Sequence, residues 1–524
     1  MTRTPHAIAR PQPVHSVPDR YHPGAATARP DAPAAPPLNR FAETMFTFGA
    51  QEFLAGHPAQ ADTLLRLSIG AGGNDFAALG LLGLMAMERK DFAAATGWLR
   101  AALEINPDEP TTLNNLGEAL RRDDRFEAAI PCYRRALAVA PDYAEAHDNL
   151  GCALTMAHRP ADALPCHQRA IALKPDFALA HQRVAGALVD LNRHDEALRA
   201  LRRGSAWAPD PAGTRVHEAY SLLALGRFPL GWKAYESRWD ALLDEAPMAR
   251  RHVEHPRWRG RGRLAGQTLL LHSEQGFGDT LQFVRYAPRL ARTGAQVIIE
   301  ALAPLVPLLH SLEGVAQVIA TGEPLPDFDL QCPMLSLPLA CGTTLPTIPA
   351  DIPYLAPPPE RVAAWRRRLG RRHGRCRRIG IAWSGSLLHS NDRHRSMPLA
   401  RLELLLNRSD CELHVAQTQI RPADRAVLDG LPRVVDNSAA LADFADTAAL
   451  LSLMDLVISV DTSVAHLAGA LARPTWVLLP FSAEWRWLIE RADSPWYPTM
   501  RLFRQPAPGD WDAVLAAVMR ALDV

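Results

Sequence analysis

Three stretches of the 524-residue chain carry residue types able to do chemistry, at spacings that let them act together. The first is His272-Ser273-Glu274-Gln275-Gly276-Phe277-Gly278-Asp279-Thr280, between a strand pattern and a helix pattern over Thr280–Ala291. Gly276 and Gly278 permit a tight turn and close approach of another molecule to the backbone. Asp279 is the candidate general base, aimed out of the carboxyl end of a sheet, where ligands of open α/β sheets bind. It reads equally as a helix cap, and the dipole that keeps a cap ionised weakens it as a base. The second is Asp461-Thr462-Ser463-Val464-Ala465-His466, again a strand end opening a helix. Free amides around Ser463, Val464 and Ala465 and the positive dipole end make an anion site. The hydroxyls of Thr462 and Ser463 and the His466 ring add donors, a set suited to a diphosphate. Ordinary capping and a satisfied core histidine read the same letters without a ligand.

The third is the polar loop Trp383–Ser396. Gly385 allows phosphate approach, Ser384 is a donor, and Arg393 or Arg395 can neutralise the charge. A solvated loop with its own Asp392–Arg395 pair is the alternative. Gln417, just past a strand, is a possible nucleobase contact. Trp485, Trp487, Trp496 and Tyr497 offer either an aromatic floor for a sugar or acceptor or, more commonly, core packing.

These stretches need a sheet beneath them. From Leu264 onward short apolar runs alternate with helical patterns: Thr268–His272, Gln296–Glu300, Arg378–Trp383, Glu412–Ala416, Leu456–Val460 and Thr475–Leu479. Such alternation implies parallel α/β sheets. A proline-rich stretch and the basic helix Arg361–Arg372 divide the region into two Rossmann-like halves, with a last helix, Trp511–Leu522, expected to pack back across the first half. Upstream, Pro107, Pro141, Pro175 and Pro209 recur every 34 residues, and Gly83, Gly117 and Gly151 share the period with Ala185 in the next slot. This is the tetratricopeptide (TPR) signature: small residues let paired helices close up, and proline ends each pair. Stacked repeats leave a concave groove. Asn115 and Asn149 share a slot that faces the groove in TPR arrays, where a carboxamide can hold a peptide backbone; a solvated helix face is the alternative. The expected organisation is a disordered Pro/Ala-rich tail (1–40), TPR repeats (41–245), a linker (246–261), the first half (262–356), a linker helix (357–374) and the second half (375–524).

Composition narrows the function classes. Lys+Arg 57 against Asp+Glu 56 gives a net charge of +1, which argues against nucleic-acid or anionic-membrane partners. Only Lys90, Lys174 and Lys233 are lysines, so fixed positive charge in any later site falls to arginine or protonated histidine. The seven cysteines form no CxxC pair, which disfavours a zinc cluster or disulfide scaffold and suits a reducing compartment. No apolar run is long enough for a transmembrane helix, and no secretory signal pattern opens the chain.

The motifs GFGD (276–279), WSGS…HSNDRHRS (383–396), DTSVAHLAGAL (461–471) and EWRWLIERADSPWYP (484–498) make the C-terminal half resemble the bacterial glycosyltransferases related to lipopolysaccharide heptosyltransferases, which have the GT-B fold. TPR repeats ahead of such a domain also resemble, in architecture, protein O-GlcNAc transferase and bacterial TPR-glycosyltransferases linked to flagellin glycosylation. The resemblance implies Asp279 as general base, Thr462, Ser463 and His466 on the donor diphosphate, and Arg395 near the leaving phosphate. The lysine usual in that family is absent, and heptosyltransferases lack TPR repeats. The expected fold is thus a TPR α-solenoid followed by a GT-B-like pair of Rossmann-like α/β domains. The expected function is a cytoplasmic, inverting, metal-independent glycosyltransferase with a nucleotide-sugar donor, no cofactor, and a protein acceptor recruited by the groove. The alternatives are a catalytically inactive scaffold with a nucleotide-binding domain, and a transferase acting on polysaccharide or lipid.

Overall fold

The computed structural model describes residues 37–72, 75–208, 210–241, 251–372, 376–387 and 391–523. The tail expected over 1–40 therefore lies outside the described residues as far as residue 36, as do Pro209 and the segment 242–250; from Pro37 the chain is helical. Two compact units emerge among the described residues, one running to Leu191 and taking in Arg202–Trp207, the other built from 192–201 and 208–523.

The first unit is an all-helical array. Its helices come in pairs: Pro37–Leu54 with Pro58–Gly70, Asp75–Glu88 with Phe92–Ile105, Pro110–Arg122 with Phe126–Val139, and Ala144–Met156 with Pro160–Leu173, followed by Ala178–Asp190. The second helix of a pair stops two residues short of Pro107, Pro141 and Pro175, as a residue without an amide hydrogen requires. The periodic glycines have a visible purpose. A Cβ on Gly83 would come within 2.7 Å of Leu99, one on Gly117 within 2.7 Å of Tyr133, and one on Gly151 within 2.5 Å of His167. Each facing side chain lies sixteen positions on, in the partner helix, so the period of 34 repeats a single knob against a single bare backbone. The buried core of the array is mostly leucine and alanine.

The second unit begins earlier than the expected boundary at 245: the helices His194–Gly204 (through Leu201), Pro211–Ala224 and Phe228–Tyr235 fall within it. It contains two parallel sheets. The first has strands β1 (Thr268–His272), β2 (Gln296–Ala301), β3 (Val315–Ala320) and β4 (Leu330–Pro333), in the order β3-β2-β1-β4. The second has β5 (Arg377–Ala382), β6 (Cys411–Val415), β7 (Val434–Val435), β8 (Leu456–Val460), β9 (Thr475–Leu479) and β10 (Met500–Arg504), in the order β10-β9-β8-β5-β6-β7. Every paired strand runs parallel, and the central strands are buried along nearly their whole length. We refer to these sheets with their helices as the first and second lobes. One apolar core spans both, including Leu269, Leu271 and Phe283 from the first and Val457, Ala465, Val477 and Trp487 from the second.

The final helix, Trp511–Leu522, departs from expectation. Its apolar face, Trp511, Val514, Leu515, Val518 and Leu522, joins Ile379, Leu413, Leu456 and Phe503 of the second lobe rather than crossing the first. Its stripe is complementary to the outer face of the sheet that made it, and Arg401–Asp512 and Arg408–Asp523 pairs fix its ends. Among the described residues no helix is long and apolar enough to cross a membrane.

Candidate functional site

The carboxyl end of β1 leads into the helix Phe277–Phe283, and that of β8 leads into the helix Ser463–Ala470. The two helices pack directly on each other. A Cβ on Gly278 would lie 2.9 Å from Cδ2 of His466. Gly278 thus makes room for a neighbouring helix, not for a ligand as the motif suggested; the missing side chain is what lets the lobes meet here. Gly276 is the N-cap, in extended conformation, and the helix starts at Phe277, three residues before the expected start.

Asp279 sits in the first helical turn with both oxygens engaged. Oδ2 accepts from the Gly276 amide at 3.0 Å, and Oδ1 forms an ion pair with Arg486 of the second lobe. The loop before it is locked by Glu274, whose carboxylate takes both arms of buried Arg238 at 2.9 and 3.0 Å and the Leu335 amide at 3.1 Å. The Asp279 carboxylate is therefore oriented from two sides.

Thr462 is the N-cap of the second helix, with no side-chain cap bond, so the first-turn amides are not taken up by its hydroxyl. Its hydroxyl meets Ser459 Oγ at 3.2 Å. Ser463 is half-buried and Val464 buried, so Val464 offers only its backbone. His466 differs from its expected role as an outward donor. Its ring is buried, stacked on Trp487 at 5.3 Å, with Nδ1 3.0 Å from the Tyr497 hydroxyl and Nε2 4.0 Å from Asp461. Burial, and then the guanidinium groups of Arg486, Arg285 and Arg395, hold it well below the ordinary histidine range, so it is neutral. It positions the helix and does not carry charge to a diphosphate.

Arg395 comes to the same place from the third stretch. It lies across Gly385, where a Cβ would meet the guanidinium at 2.6 Å, and donates from Nη1 to the Asp461 carbonyl at 2.9 Å. The close approach at Gly385 is thus used by Arg395. Its Nε is buried without a hydrogen bond and lies 4.0 Å from Asp392 Oδ1, so the Asp392–Arg395 pair foreseen in the loop is present as well. Ser384 and Gln417 bind each other: the Gln417 Oε1 accepts from the Trp383 and Ser384 amides at 2.8 and 3.2 Å, and Nε2 donates to Ser384 Oγ and the Gln419 carbonyl at 2.9 and 2.8 Å. The Gln417 amide is saturated by these bonds, so it clamps the β5 and β6 ends together and has no edge left to read a base. The aromatic quartet is also reassigned. Trp485, Trp487, Trp496 and Tyr497 are at most 4% exposed, packed with Trp232, Phe228 and Phe283, and form core rather than a pocket floor.

Several residues of this site were not legible as functional. Arg486 bridges Asp279 and Glu484, donates from Nε to Gln282 Oε1 at 2.6 Å, and lies over Trp485 at 4.3 Å. Burial, reinforced by Asp461 and Asp279 and opposed by Arg486, pushes the Glu484 carboxyl up to about 7. Burial also raises the Asp461 carboxyl, against the pull of Arg395. Arg285 pins the lobes, donating to the carbonyls of Pro349 and Trp496 at 3.0 and 2.7 Å and to the Tyr354 hydroxyl at 3.0 Å, within a box of Tyr354, Trp496 and Tyr497. Glu484 and Arg486 share the segment EWRW; their spacing of two, both polar within a tryptophan-rich core segment, was the available signal.

In the repeats, Asn115 is half-buried on its helix. Asn149 donates from Nδ2 to Asn114 Oδ1 of the preceding repeat at 3.0 Å, so it joins neighbours instead of standing free for a peptide. Asp148, Cys152 and His167 bring potential metal-ligand atoms within 4.8 Å of one another. His167 Nδ1 is already 2.7 Å from Asp148, however, and Arg183 is ion-paired to the same carboxylate, so that charge is met by an arginine.

Comparison with known proteins finds repeats in the N-terminal part and a glycosyltransferase segment in the C-terminal part. Tetratricopeptide repeat models match residues 54–110, 108–176 and 154–224. The model for Glycosyltransferase family 9 (heptosyltransferase) matches 423–480, a segment that includes β8, β9 and the Ser463–Ala470 helix. Protein FlbA of Caulobacter vibrioides is 29% identical over 337 residues, covering 57% of this chain. The chain spans about half the length of that relative, 53%. Similar solved structures include YrrB, described as a TPR protein with an unusual peptide-binding site (18% identical, 32% of this chain and 87% of that one, TM-score 0.29). They also include MamA from Desulfovibrio magneticus RS-1 (20%, 32% and 96%, 0.31) and PilF of Pseudomonas aeruginosa (16%, 41% and 97%, 0.35). The chain therefore joins tetratricopeptide repeats to a C-terminal parallel-sheet α/β region that carries a glycosyltransferase family 9 segment.

Proposed function

We propose that the chain is an inverting glycosyltransferase that moves a sugar from a nucleotide-sugar donor to a hydroxyl of a protein acceptor recruited by the repeats. The observation that supports the reading is the packing of the Phe277–Phe283 helix, which carries Asp279, on the Ser463–Ala470 helix, whose N-cap Thr462 makes no side-chain cap bond. In this reading the acceptor oxygen attacks the anomeric carbon as Asp279 takes its proton. The bond from that carbon to the phosphate oxygen breaks, and the electron pair leaves with the nucleoside diphosphate. The amides of Ser463 and Val464 and the guanidinium of Arg395 meet the developing charge, so the step calls on no metal ion. Fixed donors of this kind are often the largest catalytic contribution.

A thermal-shift panel of UDP-, GDP-, ADP- and CDP-sugars tests donor binding. One member at 100 times its Kd is expected to stabilise the fold by about 2.7 kcal/mol; no shift with any of the four classes counts against the reading. Acceptor class is tested by removing residues 37–191, which make up most of the first compact unit. Donor hydrolysis is expected to persist while transfer to protein is lost; retained protein transfer would leave the repeats without the recruiting role. A second reading, a binding-only domain, draws on the engagement of both Asp279 oxygens by Gly276 and Arg486. It predicts nucleotide-sugar binding with neither hydrolysis nor transfer.

A further inference from the structure

Arg486 and Glu484 belong to the second lobe and Asp279 and Gln282 to the first, yet the four side chains form one closed set. The Arg486 guanidinium has one arm on Asp279, another on Glu484 and its Nε on Gln282, 2.6 Å away. Its side chain is 9% exposed and lies on the Trp485 ring, so water does little to screen these contacts. One cation thus serves two carboxylates of opposite lobes. How much of its charge Asp279 receives depends on whether the other carboxylate is ionised.

Resting on the reading of Asp279 as the base, we propose that Arg486 is its positioning residue and Glu484 its modulator: the guanidinium shared across the lobes lets the charge on Glu484 decide how firmly Arg486 holds the Asp279 carboxylate. With a proton on Glu484, the Arg486 charge bears on Asp279 alone and ties it down. With Glu484 ionised, the charge is divided between two carboxylates, and Asp279 is freer to meet the acceptor hydroxyl. The groups facing Glu484 are Arg486 on its own segment, Asp461 after β8, Asp279 on the first lobe and the Tyr220 hydroxyl from the Pro211–Ala224 helix. Asp461 and Asp279 oppose its ionisation and Arg486 favours it. The carboxyl pushed up to about 7 places the switch near neutrality.

The test uses the full chain labelled with [γ-13C]aspartate, the Asp279 signal being the one missing in Asp279→Asn. In the wild-type protein that signal is expected to move a second time between about pH 6 and 8, as Glu484 titrates. Glu484→Gln, close to isosteric, is expected to abolish the second movement. Absence of the second movement in the wild type, which needs no variant to fold, overturns the proposal; so does its persistence in Glu484→Gln. With the nucleotide sugar that gives the largest thermal shift, and water as acceptor, wild-type hydrolysis is expected to rise about threefold across the same interval. Glu484→Gln is expected to remain at the low-pH level throughout. Undiminished turnover in Asp279→Asn would remove the base role while leaving the carboxylate coupling intact, so the two failures are separable.

Discussion

Among the buried histidines that rest on glycines, one lies in the repeats and another between the lobes. His167 covers Gly151, and His466 covers Gly278. Burial holds both below the ordinary range, His167 down to about 3 and His466 well down. The surroundings differ. His167 has Asp148 on Nδ1, and Asp148 also holds Arg183, so the charges close on themselves inside one helical array. His466 has the neutral Tyr497 hydroxyl on Nδ1 and is further depressed by Arg486, Arg285 and Arg395, which face carboxylates and carbonyls of both lobes. The same packing device serves stability in the array. In the lobes it draws two strand ends together, and the charged groups around it belong to the proposed chemistry.

The comparison can be broken most severely at the lobe pin. Arg285→Ala leaves three carbonyls (Gln282, Pro349 and Trp496) and the Tyr354 hydroxyl without their donor in a buried box, and is expected to cost about 3–5 kcal/mol in chemical denaturation. A loss under about 1 kcal/mol would show that the lobes do not depend on it. Gly278→Ala drives a methyl into the His466 ring and is expected to cost about 1–3 kcal/mol, and to weaken nucleotide-sugar binding as the helix starts are forced apart. Gly151→Ala overpacks His167 by a similar amount, partly offset by about 1 kcal/mol of helix propensity, and is expected to leave nucleotide-sugar binding unchanged. Equal binding defects in both glycine variants would erase the distinction drawn above.

The smallest effects are those of pH on stability. A histidine depressed in the fold binds fewer protons folded than unfolded, so the His167 contribution is fully present above about pH 6.5 and is lost as pH falls from there toward 3. Glu484 has the opposite sign. Its carboxyl is raised, the folded state holds the extra proton, and stability declines as pH rises from about 4.5 to about 7. Each contributes at most about 1.4 kcal/mol per pH unit. Unfolding across pH 5–8 is expected to lose its neutral-side decline in Glu484→Gln; an unchanged curve would place Glu484 among ordinary carboxylates.

The repeats were legible because the period of 34 states the packing rule several times over, as Gly83 on Leu99, Gly117 on Tyr133 and Gly151 on His167. Of the strands, β1, β8 and β9 were read to the residue, being short apolar runs between helix patterns. The strands β3, β4, β7 and β10 were not read. β3 exposes Ala316 and Gln317, β4 has four residues and ends in Pro333, β7 has two, and β10 alternates with Arg501 and Arg504. Asp279 and Thr462 were recognisable because each stands where a strand gives way to a helix. Arg486 was not, because its partners Asp279 and Gln282 lie about two hundred residues away and only the fold joins them, and Glu484 draws its place from Arg486. Gly278 was misread for the same reason: without a period, nothing in the letters shows that its neighbour is His466.

The central claim is that a donor bound at the Thr462–Ala470 helix start reacts under the control of Asp279. Its most direct test is single-turnover transfer or hydrolysis by Asp279→Asn, with donor affinity measured on the same protein. The account predicts unchanged donor binding and a rate lower by about 10²–10⁴. Binding and turnover both at the wild-type level would contradict it.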